Sequence, residues 1–241
     1  MTDTDRIWLD VPYSDNKRVK ALGAQWAWWE KRWYAEDPFS PELEPWRAKP
    51  PISGKLFGED RSFGGGLFVD LIPQTCWFTN VRSCVSNLDW SRIRRMVAER
   101  AGNRCEICGT ETDPAHKMYL EAHERFEFNS ASRVQTLRRL ICLCRACHTT
   151  THFGLARKMG NEQLALAHLM RVNKWGLVDA LLHVNEAFST WERRSKKIWK
   201  LDTSMLEGIG VEIVEAPEAS DRKRQAIQRI EEIRRREEGI G

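Results

Sequence analysis

The chain has 241 residues, of which 41% are hydrophobic and 30% charged, with a formal net charge of +4. That length suits one compact core with a smaller module, or two small domains. The first ten residues are acidic and polar, and no apolar run approaches the roughly 20 residues of a membrane span, so no secretory signal or transmembrane helix is predicted. We expect a soluble, cytoplasmic protein without a membrane partner.

The positive charge and the cysteines fall in the same part of the chain. Residues 91–160 carry 13 Lys and Arg against 7 Asp and Glu, whereas residues 1–90 carry 11 against 13. Five of the seven cysteines lie between Cys105 and Cys147. Such clustering in an intracellular chain argues against a disulfide framework and favours metal binding, beside a surface that attracts a polyanion.

Residues 1–40 form a small Trp-rich module in this interpretation. IWLDVPY predicts a strand, KRVKALGA a short helix ending at Gly23, and QWAWWEKRWYAE two strands around a turn near Glu30-Lys31. Two roles stay open for the tryptophans: stacking on unpaired bases, or forming the core of a module too small to fold without them. A Pro- and Gly-rich linker is predicted over residues 41–66.

Regular elements are predicted on both sides of the cysteines. LFVDLI (67–72) predicts a buried strand, and NLDWSRIRRMVAERAG (87–102) a helix capped by Asn87. Residues 159–205 form a helical extension with amphipathic helices at 161–172 and 175–194. Residues 206–241 contain a predicted strand, VEIV, and a charged helix over 220–238. The fold class is therefore α+β.

The cysteine spacing predicts a structural zinc site. Cys105-x-x-Cys108 and Cys144-x-x-Cys147 are two CxxC pairs, and each can turn tightly enough to present two thiolates to one tetrahedral Zn²⁺. Cys142 competes with Cys144 for this role, although the CxxC geometry favours Cys144.

The histidines add a second set of metal ligands. His148 and His152 are four residues apart and share one face of a helix, so both can bind one divalent cation. Upstream, KMYLEAHERFEF predicts a strand on which Tyr119, Glu121 and His123 point to the same side.

The run from CEICG through LEAHERFEF to LRRLICLCRACH resembles the zinc-stapled HNH endonuclease family. The resemblance implies a ββα-metal domain over residues 67–158, with its motif core at 105–153. It also implies that His123 is the general base and that His148 and His152 bind the catalytic cation, Mg²⁺ or another divalent ion. The N-terminal module is similar to a small uncharacterised module that accompanies DNA-processing proteins.

Two positions depart from the family pattern. Ala122 stands where an Asp or His ligand usually precedes the base, and Glu121 or Glu124 could substitute, with Glu121 favoured by strand parity. Arg139 stands at the usual place of the middle asparagine, for which Asn129 is the nearest candidate. Arg138 and Arg139 would contact phosphate or else lie on a solvated face.

These patterns predict a metal-dependent HNH-type endonuclease that hydrolyses DNA. Whether that DNA is double-stranded, single-stranded or structured stays open. The alternative is a zinc-binding nucleic-acid-binding protein with an inactive HNH-derived site. The sequence leaves the oligomeric state open.

Overall fold

A computed structural model describes residues 6–36, 39–77, 79–113 and 118–215. The strands are β1 (Arg6–Leu9), β2 (Gln25–Ala27), β3 (Arg32–Glu36), β4 (Leu120–Asn129), β5 (Val134–Cys144) and β6 (Lys200–Asp202). The helices are α1 (Asn16–Ala21), α2 (Val81–Cys84), α3 (Asn87–Arg100), α4 (Arg145–Thr151), α5 (Phe153–Lys158), α6 (Glu162–Asn173) and α7 (Leu177–Ser195). The mixed α+β class is confirmed. Within the described ranges, no helix has the length and apolarity to cross a bilayer.

The N-terminal module folds as its sequence predicts. β3 lies between β1 and β2 in an antiparallel sheet, and α1 connects β1 to β2. The β2–β3 turn places Lys31 at φ 51°. Trp33 and Trp46 are buried in the module's core, whereas the side chains of Trp26, Trp28 and Trp29 are exposed, and for these base stacking stays a prediction.

The segment predicted as a linker over residues 41–66 packs along the protein instead. Leu43 lies in the core of the N-terminal module, and Ile52 and Leu56 lie in the core beneath α3. Glu59 and Arg100 form a buried ion pair with N–O distances of 2.6 and 2.7 Å. Apolar burial therefore fixes this segment despite its Pro-rich composition.

β4 and β5 form the antiparallel hairpin at the centre of the protein. His123 pairs with Ile141, and the register shifts by one residue after Arg125, where Arg138 is the extra residue on β5. β6 adds to β5 in parallel. α4 begins directly after β5, so two antiparallel strands and a helix follow one another in the chain.

The two faces of the hairpin pack against different helices. On one face, Leu140 and Cys142 share a core with α3, whose N-cap is Ser86 rather than the predicted Asn87. On the other face, Ile141 and Leu143 share a core with α5, α6 and α7. Residues that alternate along β4 therefore face different surroundings.

Two predicted strands are absent. Residues 67–72 are irregular: Val69 N–H donates to the His183 imidazole at 2.9 Å and Asp70 N–H to the Thr151 carbonyl at 2.9 Å, so the backbone is satisfied without a partner strand. Residues 211–214 are also irregular. The predicted helix at 220–238 lies outside the described residues.

Candidate metal centres

Four thiols converge where the Cys105–Cys108 turn meets the β5–α4 junction. The Sγ atoms of Cys105, Cys108, Cys144 and Cys147 all lie within 4.8 Å of one another, with Cys108 and Cys144 at 3.6 Å. A tetrahedral zinc with bonds of about 2.3 Å requires sulfur–sulfur distances of about 3.8 Å. These four residues, the cysteine cluster, therefore lie close enough together to bind zinc.

The turn that carries the first pair needs glycine. The Cys105 carbonyl accepts from Gly109 N–H at 2.9 Å, and Gly109 adopts φ 75°, a left-handed conformation that side chains disfavour. The turn closes with Cys105 N–H donating to the Thr110 carbonyl at 2.8 Å. Backbone geometry therefore presents both thiols of the pair to one point.

The thiols of the cysteine cluster share their protons. Thiol hydrogen bonds from Cys144 and Cys147 lower the pKa of Cys105. The same bonds raise the pKa of Cys144 to about 11, and that of Cys147 is also raised, first by its bond to Cys105. One thiolate thus forms readily, and a divalent cation would favour deprotonation of the others.

Cys142 does not belong to this cluster. It lies on the α3 face of β5, fully buried, and burial raises the pKa of its thiol to about 12. The alternative in which Cys142 replaces Cys144 therefore fails, because the thiol that meets the other three is that of Cys144, at the point where β5 passes into α4.

His168 is a neighbour of the cysteine cluster that sequence reasoning missed. Its Nε2 lies 3.2 Å from the Sγ of buried Cys147, and its Nδ1 lies 2.7 Å from the Arg171 guanidinium. A hydrogen bond from an outer residue to a metal-binding thiolate fixes the orientation of that ligand. The contact joins α6 to α4 across 21 residues, a separation that motif spacing cannot signal.

Glu106 ties the CxxC turn to β5. Its carboxylate accepts from Cys142 N–H at 2.7 Å, from Arg61 at 2.8 Å and from Arg139 at 3.1 Å. Arg139 is only 7% exposed and also donates to the Phe63 carbonyl. Its guanidinium is therefore paired inside the protein rather than on a solvated face, and its phosphate contact stays a prediction.

Three imidazoles form the second centre, on the opposite face of the hairpin from α3. Ring nitrogens of His123, His148 and His152 lie within 4.8 Å of one another, and the ring centroids are 4.6 to 5.4 Å apart. His148 lies in α4, and His152 follows directly after its last residue, with its N–H bonded to the His148 carbonyl. The structure thus brings together the three predicted histidines, named here the histidine cluster.

All three imidazoles are neutral at pH 7. Burial, with a smaller effect of Arg125, lowers the pKa of His148 to about 4, and burial together with His148 and Arg125 lowers that of His152 to about 3. Burial also lowers the pKa of His123 far below its usual value. Neutral imidazoles carry the lone pairs that bind metals.

His123 makes no hydrogen bond within the described structure. Its side chain is 2% exposed, and neither Nδ1 nor Nε2 has a partner. Leaving a buried polar group unpaired costs about 1–3 kcal/mol. A cation, or a water bound to one, would satisfy this imidazole, so the residues present fit a metal.

Glu121 acts on the histidine cluster through His148. Its carboxylate lies 3.2 Å from His148 Nδ1, and it is not among the clustered ligand atoms. At this distance the carboxylate is placed to orient the His148 ring, as outer carboxylates do in many carboxylate–histidine–metal arrangements. Glu124, the other candidate, points to the opposite face of β4 and cannot reach them.

Sequence reasoning missed Arg125 and Asp70 beside the histidine cluster. The Arg125 guanidinium is fully buried, has no hydrogen-bond partner among the described residues, stacks 3.9 Å from the Phe68 ring and lies 3.8 Å from Asp70. The signal for Arg125 was its parity, since it follows His123 by two residues in one strand. No local signal marks Asp70, which lies in the irregular 67–72 segment.

Two further predicted residues lie away from the histidines. Asn129 ends β4, and its Oδ1 accepts from Ala131 and Ser132 N–H groups at 3.0 and 3.1 Å, so it stabilises the hairpin turn. Six residues of strand, about 20 Å, separate it from His123. Asn129 therefore lies away from the histidine cluster, where the middle asparagine of the family pattern was expected. Arg138 is partly exposed near Glu127, and its phosphate contact stays a prediction.

Comparison with known proteins covers only the N-terminal part of the chain. Residues 6–46 match a family described as a domain of unknown function, DUF5710. The match ends at Trp46, the last residue buried in the module's core, so the module extends beyond the predicted boundary at residue 40. No curated protein and no solved structure matches the chain. The similarity thus describes the module and leaves both metal centres to be interpreted from their geometry.

Proposed function

We propose that this protein is a metal-dependent endonuclease of the HNH type that hydrolyses phosphodiester bonds in DNA. The observation that carries the proposal is the buried His123, with both ring nitrogens unpaired, facing His148 and His152. The ββα order of β4, β5 and α4 beside a four-cysteine cluster supports the same conclusion, as does the +6 balance of residues 91–160.

Each histidine has a distinct task in this proposal. His148 and His152 hold the cation, and Glu121 orients His148. His123, neutral at pH 7, accepts a proton from the attacking water. A bound divalent cation supplies neutralisation of the charge that develops on the phosphate and the leaving oxygen.

A cavity beside α4 gives access to these side chains. It has a volume of about 400 Å³ and is lined by His148 and His152, with exposed Arg145 and Leu164 among its other residues. A phosphate entering here would meet one positive charge at Arg145 before it reaches the imidazoles. This cavity is therefore the proposed entrance for the scissile phosphate.

The donor set narrows the choice of catalytic cation. The clustered ligand atoms among the described residues are imidazole nitrogens without a carboxylate, and the two assigned to the cation belong to His148 and His152. Imidazole suits Zn²⁺, Ni²⁺ and Co²⁺, whereas Mg²⁺ requires oxygen ligands. We therefore assign the histidine cluster to a transition metal rather than to Mg²⁺.

The missing carboxylate also supports the alternative, a zinc-binding nucleic-acid-binding protein without catalysis. Ala122 faces away from the histidine cluster, as expected from its parity, and supplies no ligand. In that case the histidines would hold a metal, or none, without cleaving DNA.

Plasmid nicking distinguishes these functions. The wild-type protein is assayed with Mg²⁺, Mn²⁺, Co²⁺, Ni²⁺ and Zn²⁺, and zinc bound to the cysteine cluster is measured in parallel. We expect nicking with a transition metal and its loss in His123→Ala with one zinc retained. The control is His183→Gln, which changes a histidine outside both centres. Nicking that persists in His123→Ala refutes the assignment of the base, and no nicking with any metal refutes the nuclease.

A further inference from the structure

A second positively charged cavity lies at the far end of the β4–β5 hairpin. It has a volume of about 560 Å³ and lies between the hairpin turn and the C-terminal end of α7. Its cationic lining residues are Arg133, Arg193, Arg194, Lys196 and Lys197. No carboxylate lines it. We call it the basic cavity.

Four of the five cations of the basic cavity have no ion-pair partner in the part of the chain that the structure describes, and the fifth, Arg194, lies near Asp70. Arg133, Arg193, Lys196 and Lys197 form no ion pair there, and Arg193 donates only to the Thr190 hydroxyl. Residues 216–241 carry seven Lys and Arg against six Asp and Glu, so they bring no net negative charge. Five like charges around one cavity repel one another, and an anionic ligand would relieve that repulsion.

Aromatic side chains hold part of this cationic lining in place. The Arg194 guanidinium lies 4.3 Å from the centre of the Phe128 ring, and Phe128 packs edge-on against Trp199 at 4.9 Å. Lys197 lies 5.9 Å from the Trp199 ring. Cation–π contacts of this kind restrict the cations before any ligand arrives, which reduces the entropic cost of binding.

The basic cavity lies beside the far end of β4, whereas His123 of the histidine cluster lies near the start of that strand. Phe128 follows His123 by five residues in β4, which corresponds to about 17 Å along the strand. A smaller cavity of about 270 Å³, lined by Asp70, shares Thr190 and Arg194 with it. Asp70 in turn lies beside Arg125 near the histidines. The two cavities therefore adjoin, and the smaller one is lined by the carboxylates of Asp70 and Glu186 beside the guanidinium of Arg194.

We propose that the basic cavity binds backbone phosphates of the DNA, about five base pairs from the phosphodiester bond at the histidine cluster. This inference rests on the proposed function. The spacing follows from the distance of about 17 Å and a rise of 3.4 Å per base pair. Binding here would position the duplex without recognising its sequence, because the lining offers positive charges for phosphates and no side chains placed to contact base edges.

The test compares two double variants that remove the same charge. Arg193→Gln with Lys196→Gln changes exposed cations of the basic cavity, whereas Lys17→Gln with Lys20→Gln changes exposed cations on α1. Affinity for a 20-base-pair duplex is measured by fluorescence anisotropy between 0.05 and 0.3 M salt without added divalent metal. Each lost phosphate contact lowers the salt slope by about 0.9. We expect the cavity variant to lose about two units of slope and 10- to 100-fold in affinity at 0.1 M salt, with the α1 variant close to wild type.

Other outcomes overturn the proposal. An equal loss in both variants shows general charge attraction, and no loss in the cavity variant shows that DNA does not bind there. Competition by millimolar inorganic phosphate that removes all cavity-dependent affinity shows a site for free phosphate. Nicking is measured separately. If the cavity variant binds DNA more weakly but the wild-type protein does not nick DNA, only the nuclease proposal is refuted. If the wild-type protein nicks DNA and the cavity variant binds as tightly as the wild type, only the proposal for the basic cavity is refuted.

Discussion

The ion pair between Glu106 and Arg139 provides the most quantitative test of the site. Arg139 occupies a position at which the sequence suggested a phosphate contact, but the structure pairs it with Glu106 beneath the CxxC turn. Their side chains are 9% and 11% exposed, so each charge depends on the other for its solvation. Glu106→Ala would leave a buried guanidinium without a counter-ion.

The structure sets the size of the expected loss. Removing one partner of a buried ion pair costs about 3–5 kcal/mol. The second ion pair of Glu106, with half-exposed Arg61, contributes under about 1 kcal/mol because solvent screens it. We therefore expect Glu106→Ala to lower the free energy of unfolding by about 4 kcal/mol and Arg61→Ala by less than 1 kcal/mol. Glu106→Leu combined with Arg139→Met removes both charges and should restore all but about 1–2 kcal/mol.

Urea unfolding of the zinc-bound protein measures these differences, and duplex affinity is measured on the same samples. If Arg139 is structural, the double variant recovers stability and binds DNA like the wild type. A double variant that is stable but binds DNA tenfold more weakly would show that Arg139 contacts phosphate. A loss below 1 kcal/mol in Glu106→Ala would show that the pair is solvated, and the reasoning from burial would fail.

Three further predictions concern the two centres and their shared strand. Cys147→Ser should lose the structural zinc and fold poorly, whereas Cys142→Ala should keep one zinc per chain. Zinc analysis of the soluble protein checks both variants, and a stable, active Cys147→Ser protein would contradict the assignment. Glu121→Ala should weaken metal binding at the histidine cluster by about 10- to 100-fold, with Glu127→Ala as control, measured by Co²⁺ titration; equal affinities would exclude a role for Glu121. Burial raises the pKa of Glu124 to about 7, above an unfolded value of 4.5. Because the native state therefore binds more protons than the unfolded state, the free energy of unfolding should fall by about 3 kcal/mol as pH rises from 4.5 to beyond 7. Glu124→Gln should abolish that fall in urea unfolding; an unchanged pH profile would show that another group titrates.

The sequence predicted those features that depend on residues close together in the chain. Each CxxC pair spans four residues, and His148 and His152 lie four apart, so spacing alone placed their donors together. The stripe of Trp90, Ile93 and Val97 likewise predicted the buried face of α3. These signals depend on helix and turn geometry, which neighbouring residues determine.

The sequence did not predict features that depend on contacts between residues far apart in the chain. LFVDLI has the apolar content of a strand, but the backbone of Val69 and Asp70 bonds to α7 and to the end of α4, so no strand forms. Asn129 was selected by residue type, although its amide satisfies the hairpin turn beside it. Arg139 alternates correctly for a site residue, but the bulge at Arg138 and the position of Glu106 determine where its guanidinium lies.

The two candidate metal centres are linked because α4 carries residues of both. A helix of seven residues containing three consecutive threonines is not stable alone. Its first turn carries Cys147, and the next residue, His148, belongs to the other centre. At its end, the Thr151 carbonyl accepts from Asp70 N–H, and Thr150 donates to the Ala165 carbonyl. The cysteine cluster therefore fixes the start of the helix, tertiary hydrogen bonds fix its end, and the imidazoles are positioned between two anchors. A zinc at the cysteines would thus contribute to chemistry at the histidines by holding their helix in place.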